Sequence, residues 1–225
     1  LEKNNTTTSN PNIFLAISTN FFPLKSSPIL DIKIILLGET GTGKTNLIKT
    51  YYGEKFDPNS TSTSECKLNS KGVFINNRQC IVNIWDTIGQ EQYRAVTKSF
   101  IRGAHIVLLV YDITRRDTFL ELNYWFDIAS LELGDNAIFG VVGNKNDLYL
   151  ESDVSSEEGE NFAQQKDAIF SLVSAKTDPE SFKDLIEKLL EKYLKNKNII
   201  PKNENIIISK EDKSKNKDTG KKKCC

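Results

Sequence analysis

The stretch Gly38-Glu39-Thr40-Gly41-Thr42-Gly43-Lys44-Thr45 decides the fold of this chain. It fills every fixed position of the pattern G-x-x-x-x-G-K-[ST], in which successive backbone N–H groups curl around a pyrophosphate. A strand-like apolar segment, 31–37, precedes it, and a helix-compatible segment, 46–52, follows it. A phosphate-binding loop requires this order, because the N-terminus of the helix adds positive potential for the anion. We therefore expect Lys44 to reach the terminal phosphates and the Thr45 hydroxyl to hold Mg²⁺.

Length and composition favour one domain with tails. The 225 residues are enough for one hydrophobic core, and the formal net charge of +0 gives no basic excess for nucleic acid. The four cysteines, of which two end the chain, do not form a disulfide framework and fit a reducing compartment. No run approaches the roughly 20 apolar residues of a membrane span. We expect neither a nucleic-acid partner nor a transmembrane segment.

Three regions follow from the distribution of residue types. Residues 1–29 are rich in Asn, Thr and Ser and are interpreted as a loose N-terminal extension. Residues 30–196 alternate strand-like and helix-like segments, which is typical of a mostly parallel sheet covered by helices. Residues 197–225 are rich in lysine and asparagine, which predicts a flexible tail.

Within the central region, apolar runs predict strands at 80–85, 106–111 and 138–143. One helix is predicted from Asp117 to about Leu133 with Thr114 as its N-cap, and another begins at Asp178-Pro179. Five apolar residues of the second helix recur at helical spacing and should face the core: Phe182, Leu185, Ile186, Leu189 and Leu190. His105, the only histidine, is interpreted as a packing or surface residue, and Trp125 as a packing residue.

The segment Asp86-Thr87-Ile88-Gly89-Gln90 comes directly after the predicted strand 80–85. A carboxylate at a strand end beside a phosphate loop can hold Mg²⁺ through water, and a glycine N–H can approach a γ-phosphate. A glutamine there can orient the attacking water. Alone, the pattern D-x-x-G is weak, because Asp and Gly are common in turns. Its position after a phosphate loop and a strand favours a role for Asp86 at the metal, Gly89 at the phosphate and Gln90 in catalysis.

Asn144-Lys145-Asn146-Asp147 follows another predicted strand. A carboxylate that accepts from both the ring N–H and the exocyclic amine of guanine selects guanine over adenine, which lacks this pair of donors. As a lone tetrapeptide the segment would be an ordinary polar turn. Together with Ser174-Ala175-Lys176 it predicts a pocket for the base.

These motifs together resemble the Ras superfamily of small GTPases, and specifically the Rab family. The resemblance covers roughly residues 30–195 and includes stretches typical of Rab proteins: 85–87, 92–97, 100–104 and 109–114. It implies a three-layer α/β P-loop GTPase domain with a mostly parallel six-stranded sheet and one antiparallel edge strand.

By the same resemblance, Phe56 covers the guanine edge, Thr63 binds Mg²⁺ and senses the γ-phosphate, and the backbone near Ala175 contacts the guanine carbonyl. Mg²⁺ is expected on Thr45, Thr63 and, through water, Asp86, and catalysis on Gln90 and Lys44. The implied nucleotide-binding residues are Gly38, Glu39, Thr40, Gly41, Thr42, Gly43, Lys44, Thr45, Asn46, Phe56, Thr63, Gly89, Asn144, Lys145, Asp147, Ser174, Ala175 and Lys176.

The implied function is that of a GTP/GDP-regulated switch which hydrolyses GTP slowly unless a GTPase-activating protein assists. The resemblance implies vesicle-mediated transport on the cytoplasmic face of an intracellular membrane, with cycling through the cytosol. Expected partners are an exchange factor, a GTPase-activating protein, Rab escort protein, GDP-dissociation inhibitor and effectors.

The chain ends in a lysine-rich run followed by Cys224 and Cys225. A lysine run is often only solvated, and the last four residues do not form a C-a-a-X box, because Lys222 stands where its cysteine would be. The Rab resemblance nevertheless implies geranylgeranyl groups on both cysteines. Two lipid chains anchor a protein stably where one binds marginally, and nearby lysines add attraction to an anionic leaflet.

Two departures from the family pattern leave an alternative open. Ile88 stands where the family has alanine, and the segment 64–68 differs from the usual Ile-Gly-Val-Asp-Phe. A guanine-nucleotide-binding module with little hydrolysis is therefore the first alternative. A P-loop kinase or ATPase is the second, and Asn144 and Asp147 argue against it.

Overall fold

The computed structural model describes residues 29–60, 67–86 and 99–198. Its strands are β1 (Leu30–Leu37), β2 (Lys67–Ile75), β3 (Arg78–Asp86), β4 (Ile106–Asp112), β5 (Ile138–Asn144) and β6 (Ile169–Leu172). Its α-helices are α1 (Lys44–Tyr51), α2 (Arg116–Leu120), α3 (Leu122–Leu133), α4 (Ser156–Gln165) and α5 (Pro179–Asn196).

The six strands form one sheet in the order β2-β3-β1-β4-β5-β6. Every neighbouring pair is parallel except β2 and β3, which are antiparallel. Every residue of β4 and β5 is buried, as expected of parallel strands that are covered on both faces. The fold class, with one antiparallel strand at the edge, is confirmed, and so are the strands predicted from the apolar runs.

The antiparallel edge strand is formed by a tight hairpin. Ile75 pairs with Arg78, so that Asn76 and Asn77 make a two-residue turn with φ of 48° and 62°. Such turns need positive φ at both central residues, and asparagine tolerates this conformation better than most residues. The outer strand β2 is largely exposed, and Leu68 and Phe74 present half or more of their surface to solvent.

Helices cover both faces of the sheet and produce two hydrophobic cores. The first core lies between the sheet and α1 and α5, and it includes all five of the apolar α5 residues predicted to be buried. The second lies between the sheet and α3 and α4, with Trp125 among its largest buried side chains. Helix α5 begins as predicted, because the Asp178 side chain accepts from the Ser181 N–H at 3.2 Å and Pro179 stands at the first helical position. Among the helices of the described ranges, none combines the length and the apolar character that crossing a bilayer requires.

The helix predicted from Asp117 to Leu133 is present as two consecutive helices, α2 and α3, and its predicted cap is wrong. Backbone hydrogen bonds continue across the junction at Glu121. Arg115, with an extended backbone, occupies the cap position, and its side chain makes no capping hydrogen bond to the helix backbone. Thr114 donates instead to the Asp112 carboxylate at 2.8 Å, because this nearby acceptor competes for its hydroxyl.

Candidate functional site

The predicted site segments meet at one edge of the sheet. Strands β1, β3, β4 and β5 are parallel, and their carboxyl ends lead to Gly38, Asp86, Asp112 and Asn144 respectively. Asp112 and Asn144 are direct partners in the register of β4 and β5. Open α/β sheets bind their ligands at this edge. The fold therefore places the phosphate loop beside the segment predicted to bind the base.

Lys44 is a buried cation beneath the phosphate loop. Its side-chain Nζ donates to the carbonyl oxygens of Gly38 at 2.7 Å and Glu39 at 2.9 Å. Burial lowers the pKa of Lys44 to about 8, although the nearby Asp86 and Glu39 carboxylates act in the opposite direction. The charge of Lys44 is thus held away from water, where its attraction for an anion is strong.

The Glu39 side chain ties this loop to α3. The Trp125 indole Nε1 donates to Glu39 Oε1 at 3.1 Å, and the Thr42 hydroxyl donates to the Glu39 carbonyl at 2.9 Å. Trp125 is buried, as its interpretation as a packing residue requires, but it also orients a residue of the loop. The chemical signal for this second role is the indole N–H, because a buried tryptophan usually needs an acceptor.

Asn144 joins the phosphate loop to the segments predicted to bind the base. Its Nδ2 donates to the Thr42 carbonyl at 2.7 Å, and its Oδ1 accepts from the Ala175 N–H at 3.4 Å. The amide lies so close to the loop that a Cβ at Gly43 would stand 2.3 Å from Nδ2. One buried side chain therefore sets the relative position of three segments.

The Asp147 carboxylate is oriented by Ser174, as a base-reading group needs to be. The Ser174 hydroxyl donates to Asp147 Oδ1 at 2.6 Å and accepts from the backbone N–H groups of Lys176 and Thr177. Lys176 Nζ lies 3.8 Å from Asp147 Oδ2. The two predicted base segments are in contact.

Lys145 has a partner that the sequence did not suggest. Its backbone is left-handed, with φ of 66°, and its Nζ donates to Asp112 Oδ2 at 2.5 Å. Asp112 is 1% exposed, and its other carboxylate oxygen accepts from Thr114. The position of Asp112 could have indicated this ion pair. Asp112 is a carboxylate at the end of a parallel strand, beside the strand that leads to Lys145.

Asn46 anchors the segment that contains Phe56. Its side-chain amide donates to the Asp57 carbonyl at 3.0 Å and accepts from the Asp57 N–H at 3.2 Å. Phe56, the preceding residue, is half-buried against the first core. The other predicted site residues, Thr63, Gly89, Gln90, Cys224 and Cys225, lie outside the described residues.

The donor chemistry of Thr45 and Asp86 fits magnesium. Thr45 follows Lys44 at the start of α1, and Asp86 ends β3 with 3% of its surface exposed. Within the described ranges no group of three or more His, Cys, Asp or Glu side chains could hold a metal. Mg²⁺ is usually bound by one or two protein oxygens, substrate phosphates and water, so a hydroxyl and one carboxylate are a suitable set.

Comparison with known proteins agrees with this geometry. The family model described as Ras family matches residues 33–195. The Ras-related protein Rab-2B of Dictyostelium discoideum is 36% identical over 171 residues, which are 75% of this chain and 85% of that protein. The chain belongs to the Ras family. It is a Rab-like small GTPase, an enzyme that hydrolyses GTP in vesicle trafficking, and the resemblance noted in the sequence is confirmed.

Family membership also decides between the alternatives. Ras-family proteins of this kind are GTP hydrolases, so a binding module with little hydrolysis is not favoured. Enzymes of this superfamily generally use GTP and GDP with Mg²⁺ and work with regulatory proteins and intracellular membranes.

Proposed function

We propose that this GTPase binds guanine nucleotide at the carboxyl edge of the sheet. The phosphates lie in the loop 38–45, and the guanine lies between the segments 144–147 and 174–176. The observation that carries this proposal is the double contact of Asn144 with Thr42 and Ala175, which sets the phosphate loop and the base segments side by side. In this arrangement Asp147 accepts from guanine, while Phe56 covers an edge of the base.

The proposed chemistry is the attack of water on the γ-phosphorus, which releases GDP and inorganic phosphate. Gln90 orients the water, and Lys44 neutralises charge that develops on the phosphate oxygens. Bound Mg²⁺ would supply further charge neutralisation, held by Thr45, Thr63 and, through water, Asp86. Thr63 and Gly89 contact the γ-phosphate, so that its loss releases both of their segments.

The proposed cellular setting is the cytoplasmic face of an intracellular membrane. Similarity to a Rab-2B protein supports an exchange factor, a GTPase-activating protein that supplies an arginine, an escort protein, a GDP-dissociation inhibitor and effectors as partners. Geranylgeranyl groups on Cys224 and Cys225 would provide the anchor. Replacing both cysteines with serine should move the protein to the supernatant in membrane pelleting without changing GDP affinity, and continued pelleting would place the anchor elsewhere.

The test of the nucleotide site is competition for bound fluorescent GDP by GTP, xanthosine triphosphate and ATP. We expect the parent to prefer GTP and Asp147→Asn to favour xanthosine triphosphate, because the new amide complements the second carbonyl of xanthine. The cost of one mismatched buried polar group is about 1–3 kcal/mol, which is roughly 5- to 150-fold in affinity.

Asp167→Asn is the matched control, since Asp167 is highly exposed and pairs with Lys192 away from this edge. It should retain the parental preference. Unchanged GTP affinity in Asp147→Asn would contradict the base pocket, and displacement by ATP as effective as by GTP would favour an ATPase or kinase.

A further inference from the structure

The turn after β4 contacts the tip of the phosphate loop through Arg115. Arg115 Nη1 donates to the Thr40 carbonyl at 3.1 Å, across 75 residues of sequence. Arg115 Nη2 donates to Asp117 Oδ2 at 2.7 Å. One guanidinium therefore joins the loop to the first turn of α2, and it uses two separate nitrogens to do so.

The guanidinium lies close to Gly41 of the loop, where a side chain would crowd it. A Cβ at Gly41 would stand 3.2 Å from Arg115 Nη1, and Gly41 has a φ of +81°, which disfavours other residues. The Asp117 hydrogen bond is the main cause that raises the pKa of Arg115, with Asp112 and Glu39 adding to it. Arg115 is thus a permanent cation with a fixed orientation at the loop tip.

The contact with Thr40 controls the direction of a neighbouring N–H group. The Thr40 carbonyl and the Gly41 N–H belong to the same peptide unit, and in a trans peptide they point in opposite directions. The described residues contain no cis peptide bond. A carbonyl held towards Arg115 therefore turns the Gly41 N–H away from Arg115, to the opposite side of the loop.

We propose that Arg115 is a positioning residue that holds the phosphate loop in its binding conformation through the Thr40 carbonyl. The inference rests on the proposed function, in which the phosphates occupy the side of the loop to which the Gly41 N–H points. Arg115 touches no phosphate in this role. It reduces the freedom of one peptide plane, so that less conformational entropy is lost when the diphosphate binds.

Arg116 provides a matched control at the next position. Its Nη2 donates to Glu158 Oε1 at 2.5 Å, and its Nη1 donates to the Asp153 carbonyl at 2.8 Å. The two arginines are similarly exposed, at 41% and 46% of the side-chain surface, and each makes one ion pair and one bond to a carbonyl. Only Arg115 contacts the phosphate loop.

The experiment loads the full chain with fluorescent GDP and measures its release in an excess of unlabelled GDP. We expect Arg115→Ala to accelerate release about fivefold, the effect of losing one hydrogen bond of ordinary net strength at a partly exposed position. Arg116→Ala should release GDP at the parental rate. Arg115→Lys should release GDP at an intermediate rate. The lysine ammonium can reach the Thr40 carbonyl, but it lacks the second, rigidly spaced nitrogen with which arginine also bonds Asp117.

Competition by GMP separates positioning from a general loss of stability. GMP lacks the β-phosphate that a phosphate loop cradles, so Arg115→Ala should weaken GDP about fivefold while GMP affinity changes less than about twofold. Equal losses for GDP and GMP, or equal release rates in Arg115→Ala and Arg116→Ala, would overturn the proposal. A parent chain that fails to bind GDP would instead contradict the proposed function itself.

Discussion

The two halves of the site are constructed differently. The phosphate half is one continuous stretch, Gly38–Thr45, in which backbone groups surround a single buried lysine. The base half combines two segments, and its central contact joins Ser174 to Asp147 across 27 residues. The first half depends on local backbone geometry and charge, and the second depends on side-chain hydrogen bonds that exist only in the folded protein.

This difference predicts two kinds of failure. Damage to the phosphate half should weaken every nucleoside diphosphate or triphosphate alike, since phosphates do not distinguish bases. Damage to the base half should change the preference among bases and leave much of the phosphate affinity in place. Nucleotide panels that include GDP, xanthosine diphosphate and ADP therefore separate the halves experimentally.

Lys44→Ala should have the largest effect. Loss of the buried cation removes charge-assisted bonds to phosphate, and we expect GDP affinity to fall about 100-fold or more, with the ranking of bases unchanged. Lys49→Ala is the control, because Lys49 lies on the same helix but pairs with Asp57 at 3.4 Å. Titration calorimetry measures both. An altered base ranking in Lys44→Ala would break the separation of the two halves.

Asn144→Ala should damage both halves at once. The substitution leaves the Thr42 carbonyl and the Ala175 N–H without the hydrogen bond that Asn144 makes to each. Each unsatisfied buried polar group lowers the stability of the fold by about 1–3 kcal/mol. We expect the free energy of unfolding to fall by about 2 kcal/mol or more, with weaker binding of all bases. Urea denaturation and GDP binding measure the two effects. A variant that loses only base preference would show that the bridge to the phosphate loop is dispensable.

Ser174→Ala should affect the base half alone and more mildly. The Asp147 carboxylate keeps its charge but loses the hydroxyl that orients it, so GDP affinity should fall by about 1 kcal/mol, or roughly fivefold. Ser171→Ala, in β6, is the control, because the Ser171 hydroxyl donates to the neighbouring Leu172 carbonyl at 3.4 Å. If ADP and GDP lost affinity equally in Ser174→Ala, the assignment of Asp147 to base reading would be weakened.

His105 should give the smallest effect, and it should not distinguish the halves. It precedes β4 at the opposite end of the strands, where its Nδ1 accepts from the Lys33 N–H at 2.9 Å and its ring packs on Tyr193. Burial lowers the pKa of His105, and the nearby Lys197 and Lys33 lower it further. The unfolded chain therefore binds the proton first, so stability should fall as the pH drops below about 6.5.

A variant without a titrating group at position 105 isolates the contribution of His105 to the pH dependence of stability. In His105→Asn the amide oxygen can accept from Lys33 but does not titrate, so the variant should lose less stability than the parent between pH 7 and pH 5. Urea unfolding at three pH values provides the comparison. Parallel pH profiles for the two proteins would show that His105 has the same pKa in the folded and unfolded states, which would contradict the prediction.

The features that could be predicted from the sequence are local patterns, whereas contacts between distant segments could not be predicted. The phosphate loop, the apolar strands and the α5 cap are local patterns, and the structure agrees with each of them. The contact between Trp125 and Glu39 spans 86 residues, and neither periodicity nor a motif encodes such a pairing. The sequence pattern wrongly predicts Thr114 as a helix cap, because the Asp112 carboxylate two residues earlier competes for its hydroxyl.

The bridge made by Asn144 also has a consequence for the order of synthesis. A ribosome releases the phosphate loop early, but the side chain that binds Thr42 is 102 residues further along the chain. Ala175, the second partner of Asn144, comes 31 residues later still. A nascent chain stopped before Asn144 therefore has the complete phosphate motif without either contact, and one stopped before Ala175 still lacks the second. We therefore expect the chain to bind nucleotide only when nearly the whole domain has left the ribosome, so that nucleotide binding marks a late stage of folding.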